Sequence, residues 1–166
     1  MDGAQAVTEP DWATADLMDA HPGRLRAVLL PLHDHGGVTR FTGEIATLRV
    51  DRDWRPVLRE LEQAGAGRVL VVDGGGALDR AVLGERLLGT AARNGWAGVV
   101  IHGAVRDTAL TRAIPIGLRA LGTTPERGQS GAGTERQCVL EFGGARFTPG
   151  ERLWADADGI VVGSVA

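Results

Sequence analysis

Two short apolar runs, Arg68–Val72 (RVLVV) and Gly98–Ile101 (GVVI), constrain this chain most. Both are rich in branched residues and unbroken rather than alternating, the pattern of strands buried on both faces. Each ends in a glycine-containing turn: Asp73-Gly74-Gly75-Gly76 after the first and His102-Gly103 after the second. Between them, Leu83–Asn94 places Leu83, Leu87, Leu88 and Ala91 on one helical stripe, and Asn94-Gly95 stops it. Strand–helix–strand units therefore occupy the middle of the chain.

The flanking segments extend this pattern. Met1–Trp12 reads as a flexible tail. Thr14–His21 reads as a short helix with Thr14 as its N-cap and His21-Pro22-Gly23 as its stop. Leu25–Leu32 and Phe41–Val50 read as strands, with His33–Gly37 as a loop between them, and Trp54–Ala64 has helical spacing. A short helix over Thr108–Ala113 precedes a strand at Ile116–Leu121, and Thr123–Gly133 reads as a mobile loop. The last third is all strand. Cys138–Phe142 and Ala145–Phe147 flank the hairpin signal Gly143-Gly144, and Leu153–Ala155 and Ile160–Val162 flank Asp158-Gly159. With no repeat and no linker, residues 1–166 are expected to form one layered α/β domain with a mixed sheet and an antiparallel C-terminal part.

Composition removes whole classes of chemistry. The chain contains no lysine, so all 18 of its basic side chains are arginine. Schiff-base catalysis, pyridoxal phosphate attachment and lysine-dependent phosphate loops are disfavoured together. Tyrosine is absent as well, which leaves acid–base work to Asp, Glu, four His, one Cys, a metal or water. The single cysteine, Cys138, fits a reducing compartment and reads as a small apolar strand residue. The start of the chain has neither the basic nor the apolar stretch of a signal peptide, and no apolar run reaches the ~20 residues of a membrane span. A cytoplasmic protein is expected. A net charge of −3 argues against direct nucleic-acid binding.

Several residues are candidates for a site. The run Val69–Gly76 resembles a nucleotide-binding turn, but the third glycine of the dinucleotide fingerprint is missing and Leu78-Asp79-Arg80 follows. The glycines then serve a tight turn or a close ligand approach, and a methyltransferase reading rests on them alone. Gly84, Glu85, Arg86 and Leu87 open a helix, where free amides and the helix dipole suit a carboxylate or phosphate. Arg106 and Asp107 follow a strand, where an arginine can grip a carboxylate and an aspartate offers Mg²⁺ or Mn²⁺ a hard oxygen. His33, Asp34 and His35 could chelate a metal but lack an evident third ligand partner outside the loop. His102 reads as a packed turn residue near Arg106. The four tryptophans read as core or subunit contacts.

The segments VLVVDGGGALDRAVLGERLLGTAARNGWAGVVIHGAVRD, IPIGLRALGTTP and FGGARFTPGERLWADADGIVV, in this order, resemble the family of regulators of ribonuclease activity A and related metal-dependent pyruvate aldolases. Weaker similarity runs back through FTGEIATLRV to ATADLMDAHP. The aldolase pattern in that family is an acid, twenty residues, then Arg-Asp, and Glu85, Arg106 and Asp107 match it. Departures are visible: the acid is Glu rather than the common Asp, Leu110 stands where a basic residue is frequent, and Thr134 looks like an insertion within Gly131–Arg136. The resemblance implies a β/β/α swivelling-type fold, a homotrimer or hexamer with sites between subunits, and cleavage of 4-hydroxy-4-methyl-2-oxoglutarate to pyruvate. Oxaloacetate decarboxylation is the implied side activity. In that scheme Asp107 holds the metal, Glu85 assists through water, Arg106 stabilises developing charge, and amides of Gly84–Leu87 hold the 2-oxo acid carboxylate. The alternative the family offers is a non-catalytic inhibitor of an RNA-degrading endonuclease.

Overall fold

The computed structural model describes residues 11–129, 131 and 133–165. Most of the expected tail, residues 1–10, lies outside them. Trp12 does not behave as tail: the Arg40 guanidinium lies over its ring at 4.5 Å. The chain order is α1 (Thr14–Ala20), β1 (Leu25–Ala27), β2 (His33–Asp34), β3 (Phe41–Arg49), α2 (Arg55–Leu61), β4 (Val69–Asp73), β5 (Ala81–Leu83), α3 (Glu85–Arg93), β6 (Gly98–Val105) and α4 (Thr108–Thr111), followed by β7 (Gly117–Thr123), β8 (Glu135–Arg136), β9 (Leu140–Phe142), β10 (Ala145–Phe147), β11 (Arg152–Asp156) and β12 (Gly159–Gly163).

The main sheet runs β1-β12-β11-β3-β4-β6-β7-β2, with β5 added beside β6 and β8 beside β3. Strands β3, β4, β6 and β7 are mutually parallel, and β11, β12 and β1 are antiparallel. Nine-residue β3 joins the two regions: Phe41–Glu44 pair with β11, and Ile45–Arg49 pair with β4. Period-two alternation divides the interior. Leu48, Leu70, Val72, Val99 and Ile101 pack against Val57 and Leu61 of α2 and Leu87, Leu88 and Ala91 of α3. Ile45, Val69, Val71 and Val100 face the other way, onto Phe142 and Phe147 of the β9–β10 hairpin and onto β11 and β12. This is the expected layered α/β architecture with a mixed sheet and an antiparallel end. Within the described residues no helix is long and apolar enough to cross a membrane.

Several local expectations change. The strand expected at Leu25–Leu32 ends at Ala27: Val28 N–H still donates to Ile160 of β12, but Leu29 N–H turns to Gly143 instead. His33–Asp34 is not loop but a two-residue edge strand on β7. Strand β6 does not stop at His102-Gly103; the pairing with β7 slips by one residue there, and the strand continues to Val105 through a bulge. Leu83 belongs to β5, and the helix begins only at Glu85. Cys138 is half-buried and lies just before β9 rather than in it.

Thr14 is not an N-cap but the first residue of α1, after Ala13. Its N–H and hydroxyl donate to the Asp156 carboxylate at 2.8 and 2.7 Å. The helix end is thus satisfied from the far end of the chain. Burial pushes the Asp156 carboxyl up, but hydrogen bonds from Thr14, Asp158 and Gly159 outweigh it and hold the group below the usual carboxylate range. A depressed carboxyl contributes stability above its unfolded value of about 4, lost as pH falls through the folded one. Asp156→Ala should cost about 1–2 kcal/mol in urea unfolding at pH 7. The difference from wild type should shrink below about pH 4; an equal difference at pH 3 and pH 7 would mean the charge contributes nothing.

Candidate functional site

The site forms where β6 ends. Ala81 and Leu83 of β5 pair with Ala104 and Val105, and the Arg106 N–H donates to Leu83 O at 3.0 Å. That pairing sets the start of α3 directly against the residues that follow β6. Asp107 then adopts a left-handed backbone, φ 59° and ψ 34°. Asp is among the few non-glycine residues that tolerate this region, and such strain concentrates at functional positions. Its Oδ2 accepts the Glu85 N–H at 3.2 Å. A Cβ on Gly84 would lie 2.6 Å from that same oxygen, so only glycine leaves room for the carboxylate.

The first bond inside α3 runs from Leu88 N–H to Gly84 O. The amides of Glu85, Arg86 and Leu87 precede it, and they carry the positive end of the helix dipole. Glu85 spends its amide on Asp107. Gly84, Arg86, Leu87, Arg106 and Asp107 line one open cleft, so the structure gathers five of the six residues singled out from the sequence. Glu85 contributes its backbone there, and its side chain is exposed.

Trp54, Ala81, Leu83 and Arg127 complete the cleft and were missed from the sequence. Trp54 reads as one member of a helical apolar stripe, yet it stands at the N-cap of α2, half-buried, with the Arg127 guanidinium 5.2 Å from its ring centroid. Arg127 lies in the stretch expected to be a mobile loop, and no local signal marks it. Among the described residues, Arg86, Arg106 and Arg127 have no ion-pair partner, and Asp107 is the one carboxylate lining the cleft with them. The opening is a net cationic pocket on an acidic protein.

For a divalent cation, Asp107 supplies a hard, exposed carboxylate. The described residues contain no group of three His, Cys, Asp or Glu side chains placed to hold a metal. A single carboxylate suits Mg²⁺ or Mn²⁺, ions that keep several waters and take the remaining ligands from a substrate, and is too little for a closed structural site. The His33–His35 loop offers less. Asp34 spends its carboxylate on Gly36 N–H and the Thr39 hydroxyl, His35 is buried and His33 is exposed.

The Gly74–Gly76 turn does not present itself to a phosphate. The N–H groups of Gly74 and Gly76 both donate to His102 O, and that of Gly75 donates to Asp73 Oδ1. The His102 ring pairs with the same Asp73 oxygen at 2.8 Å and stacks on Phe142 at 4.3 Å. Burial pushes the Asp73 carboxyl up, yet the His102 and Gly75 hydrogen bonds prevail and hold it low. The turn is locked onto β6, and His102 is the packed residue expected from the sequence.

Comparison with known proteins places the chain by sequence and by fold. A protein of Laribacter hongkongensis provisionally named 4-hydroxy-4-methyl-2-oxoglutarate aldolase is 44% identical over 151 residues, 91% of this chain and 95% of its own. A solved structure from Geobacillus kaustophilus, titled S-adenosylmethionine:2-dimethylmenaquinone methyltransferase, matches with a TM-score of 0.89 and 45% identity, covering 92% of this chain and 95% of that one. The structure titled RNA-processing inhibitor RraA from Thermus thermophilis matches with a TM-score of 0.88 and 44% identity, covering 92% of each chain. The family model described as Aldolase/RraA matches residues 14–162, and the chain belongs to the RraA-like family.

Proposed function

We propose that this protein is a divalent-metal-dependent aldolase that cleaves substrates of the 4-hydroxy-4-methyl-2-oxoglutarate type to pyruvate, with oxaloacetate decarboxylation as a side activity. The observation that carries the reading is the Asp107 carboxylate, set by a left-handed backbone against the Glu85 amide in a cleft also lined by Arg86, Arg106 and Arg127, which have no ion-pair partner among the described residues. The name carried by the Laribacter relative supports the substrate class.

In this reading the Arg86 and Leu87 amides, at the positive end of α3, take the carboxylate of the 2-oxo acid. Arg106 lies against the adjoining oxo oxygen and meets the negative charge that develops there as the carbon–carbon bond breaks. Asp107 would hold Mg²⁺ or Mn²⁺, with Glu85 assisting through water. When bound, the ion supplies Lewis-acid polarisation of the oxo acid. Lysine and tyrosine are absent, and a water polarised by the ion would take the substrate's hydroxyl proton. The cleft is open and Asp107 and Glu85 are exposed, which suits completion by a neighbouring copy in a trimer or hexamer of a cytoplasmic protein. Masking of an RNA-degrading endonuclease, the second reading, draws on the Thermus relative's title and the net charge of −3. It does not call for a strained carboxylate inside an arginine-lined cleft.

Pyruvate release from 4-hydroxy-4-methyl-2-oxoglutarate and from oxaloacetate should require Mg²⁺ or Mn²⁺ and stop in EDTA. Arg106→Ala and Asp107→Asn should each lower kcat/KM by at least about 100-fold. Asn tolerates the left-handed backbone, so Asp107→Asn should fold normally. Absence of metal-dependent release from folded wild-type oligomer would overturn the enzymatic reading in favour of the regulatory one.

Gly84→Ala gives a separate check, because the added methyl would displace the Asp107 carboxylate. Turnover should fall at least about tenfold with the oligomer intact, as read by light scattering; unchanged turnover would mean that the carboxylate's position is unimportant.

A further inference from the structure

The cleft holds more positive charge than one 2-oxo acid carboxylate and its neighbouring oxygen require. Arg106 and the α3 amides account for one end. Arg127 stands with Trp54 in the same cleft and has no role in that reading.

Its placement is built rather than incidental. Glu126 O accepts the Ala81 N–H at 2.8 Å, and Gly128 N–H donates to Ala81 O at 2.9 Å. The backbone on both sides of Arg127 is therefore clamped to β5, and residue 127 itself bridges Ala81. A Cβ at position 128 would come within 2.5 Å of Arg52 O and 2.9 Å of Ala81 O, so the clamp depends on glycine there. Arg106 Nη1 reaches Pro125 O at 3.5 Å, which ties the segment to the catalytic end. The adjacent acid cannot quench the charge, because Glu126 is paired with Arg80 at 2.8 Å. The Arg127 guanidinium lies over the Trp54 ring and is exposed, with no ion-pair partner among the described residues; a planar fork of this kind matches a carboxylate.

We propose that Arg127, braced on Trp54, forms a subsite for the second, distal carboxylate of the substrate, and so sets a preference for dicarboxylic 2-oxo acids over monocarboxylic ones. The proposal rests on the cleft being the 2-oxo acid site. Arg127 acts here as a specificity residue at the far end of the substrate, away from the bond that breaks.

The test uses an unreactive pair of equal chain length, 2-oxoglutarate and 2-oxopentanoate, titrated calorimetrically into the full-length oligomer in Mg²⁺. Wild type should bind the dicarboxylate about 10- to 100-fold tighter, the range of a charge-assisted hydrogen bond. Arg127→Met should bring the ratio to within about twofold, Arg127→Lys should retain part of it, and Trp54→Leu should lower it. Circular dichroism and thermal melting confirm that each variant is folded. A wild-type ratio near one, or an unchanged ratio in folded Arg127→Met, would overturn the subsite. In parallel, the ratio of kcat/KM for 4-hydroxy-4-methyl-2-oxoglutarate over 4-hydroxy-2-oxopentanoate should fall in Arg127→Met. If wild type cleaves neither compound, the aldolase reading fails, and the binding ratio still decides the subsite.

Discussion

Three residues, Ala81–Leu83, hold the functional end of this protein together. As β5 they lie beside the last turn of β6, in the space β4 vacates after Asp73. On one side Leu83 O fixes the Arg106 amide; on the other Ala81 grips the backbone at Glu126 and Gly128. The chain then passes through Gly84 into α3, which delivers the helix amides to Asp107. Backbone hydrogen bonds rather than side-chain contacts set these distances. The backbone at Arg106 and on both sides of Arg127 is therefore anchored to β5, the kind of support that favours a preorganised site.

The chain uses glycine in two opposite ways at the ends of neighbouring strands. At Gly74–Gly76 the freed amides fold inward onto His102 and Asp73, and their bonding capacity is consumed by the protein. At Gly84 the missing side chain makes room for a carboxylate beside amides that no intrahelical acceptor has claimed. Composition alone cannot distinguish these uses: the sequence marks Gly74–Gly76 as a turn and leaves Gly84 at the opening of the expected helix. The distinction matters chemically: the conspicuous glycine run is a structural lock, and the inconspicuous single glycine borders the site.

Rigidity beneath the site comes from the two cores on either side of the parallel strands. Phe41, at the start of β3, packs so closely on β6 and β7 that a Cβ at Gly98 or Gly117 would fall within 2.5 or 2.1 Å of its ring. Its contact gathers three strands at their first residues, and the same strands end at Arg49, Val105 and Thr123 on the opposite side. Ligand groups accordingly collect at the carboxyl ends of parallel strands, as in other open α/β sheets.

Much of this was legible in the sequence. Unbroken apolar runs marked β4 and the first half of β6, helical spacing marked α2 and α3, and Gly143-Gly144 and Asp158-Gly159 marked the hairpins, because each is a local preference written in adjacent residues. The pairing of Glu85 with Arg106-Asp107, and the family they imply, were legible too. The expected strand end at His102-Gly103 was not met, because a bulge absorbs the extra residue only when a second strand is present to pair beyond it. Thr14 looked like a cap, and its partner Asp156 lies 142 residues away. Arg127 and Trp54 carried no mark at all: one sat in a polar stretch, the other in an apolar stripe. The sequence by itself determined the elements, the layering and the catalytic candidates, since those depend on period, composition and near neighbours. Only the tertiary structure decided which arginines share a cleft, because that depends on the backbone pairing of β5 with segments some twenty and forty-five residues further along the chain.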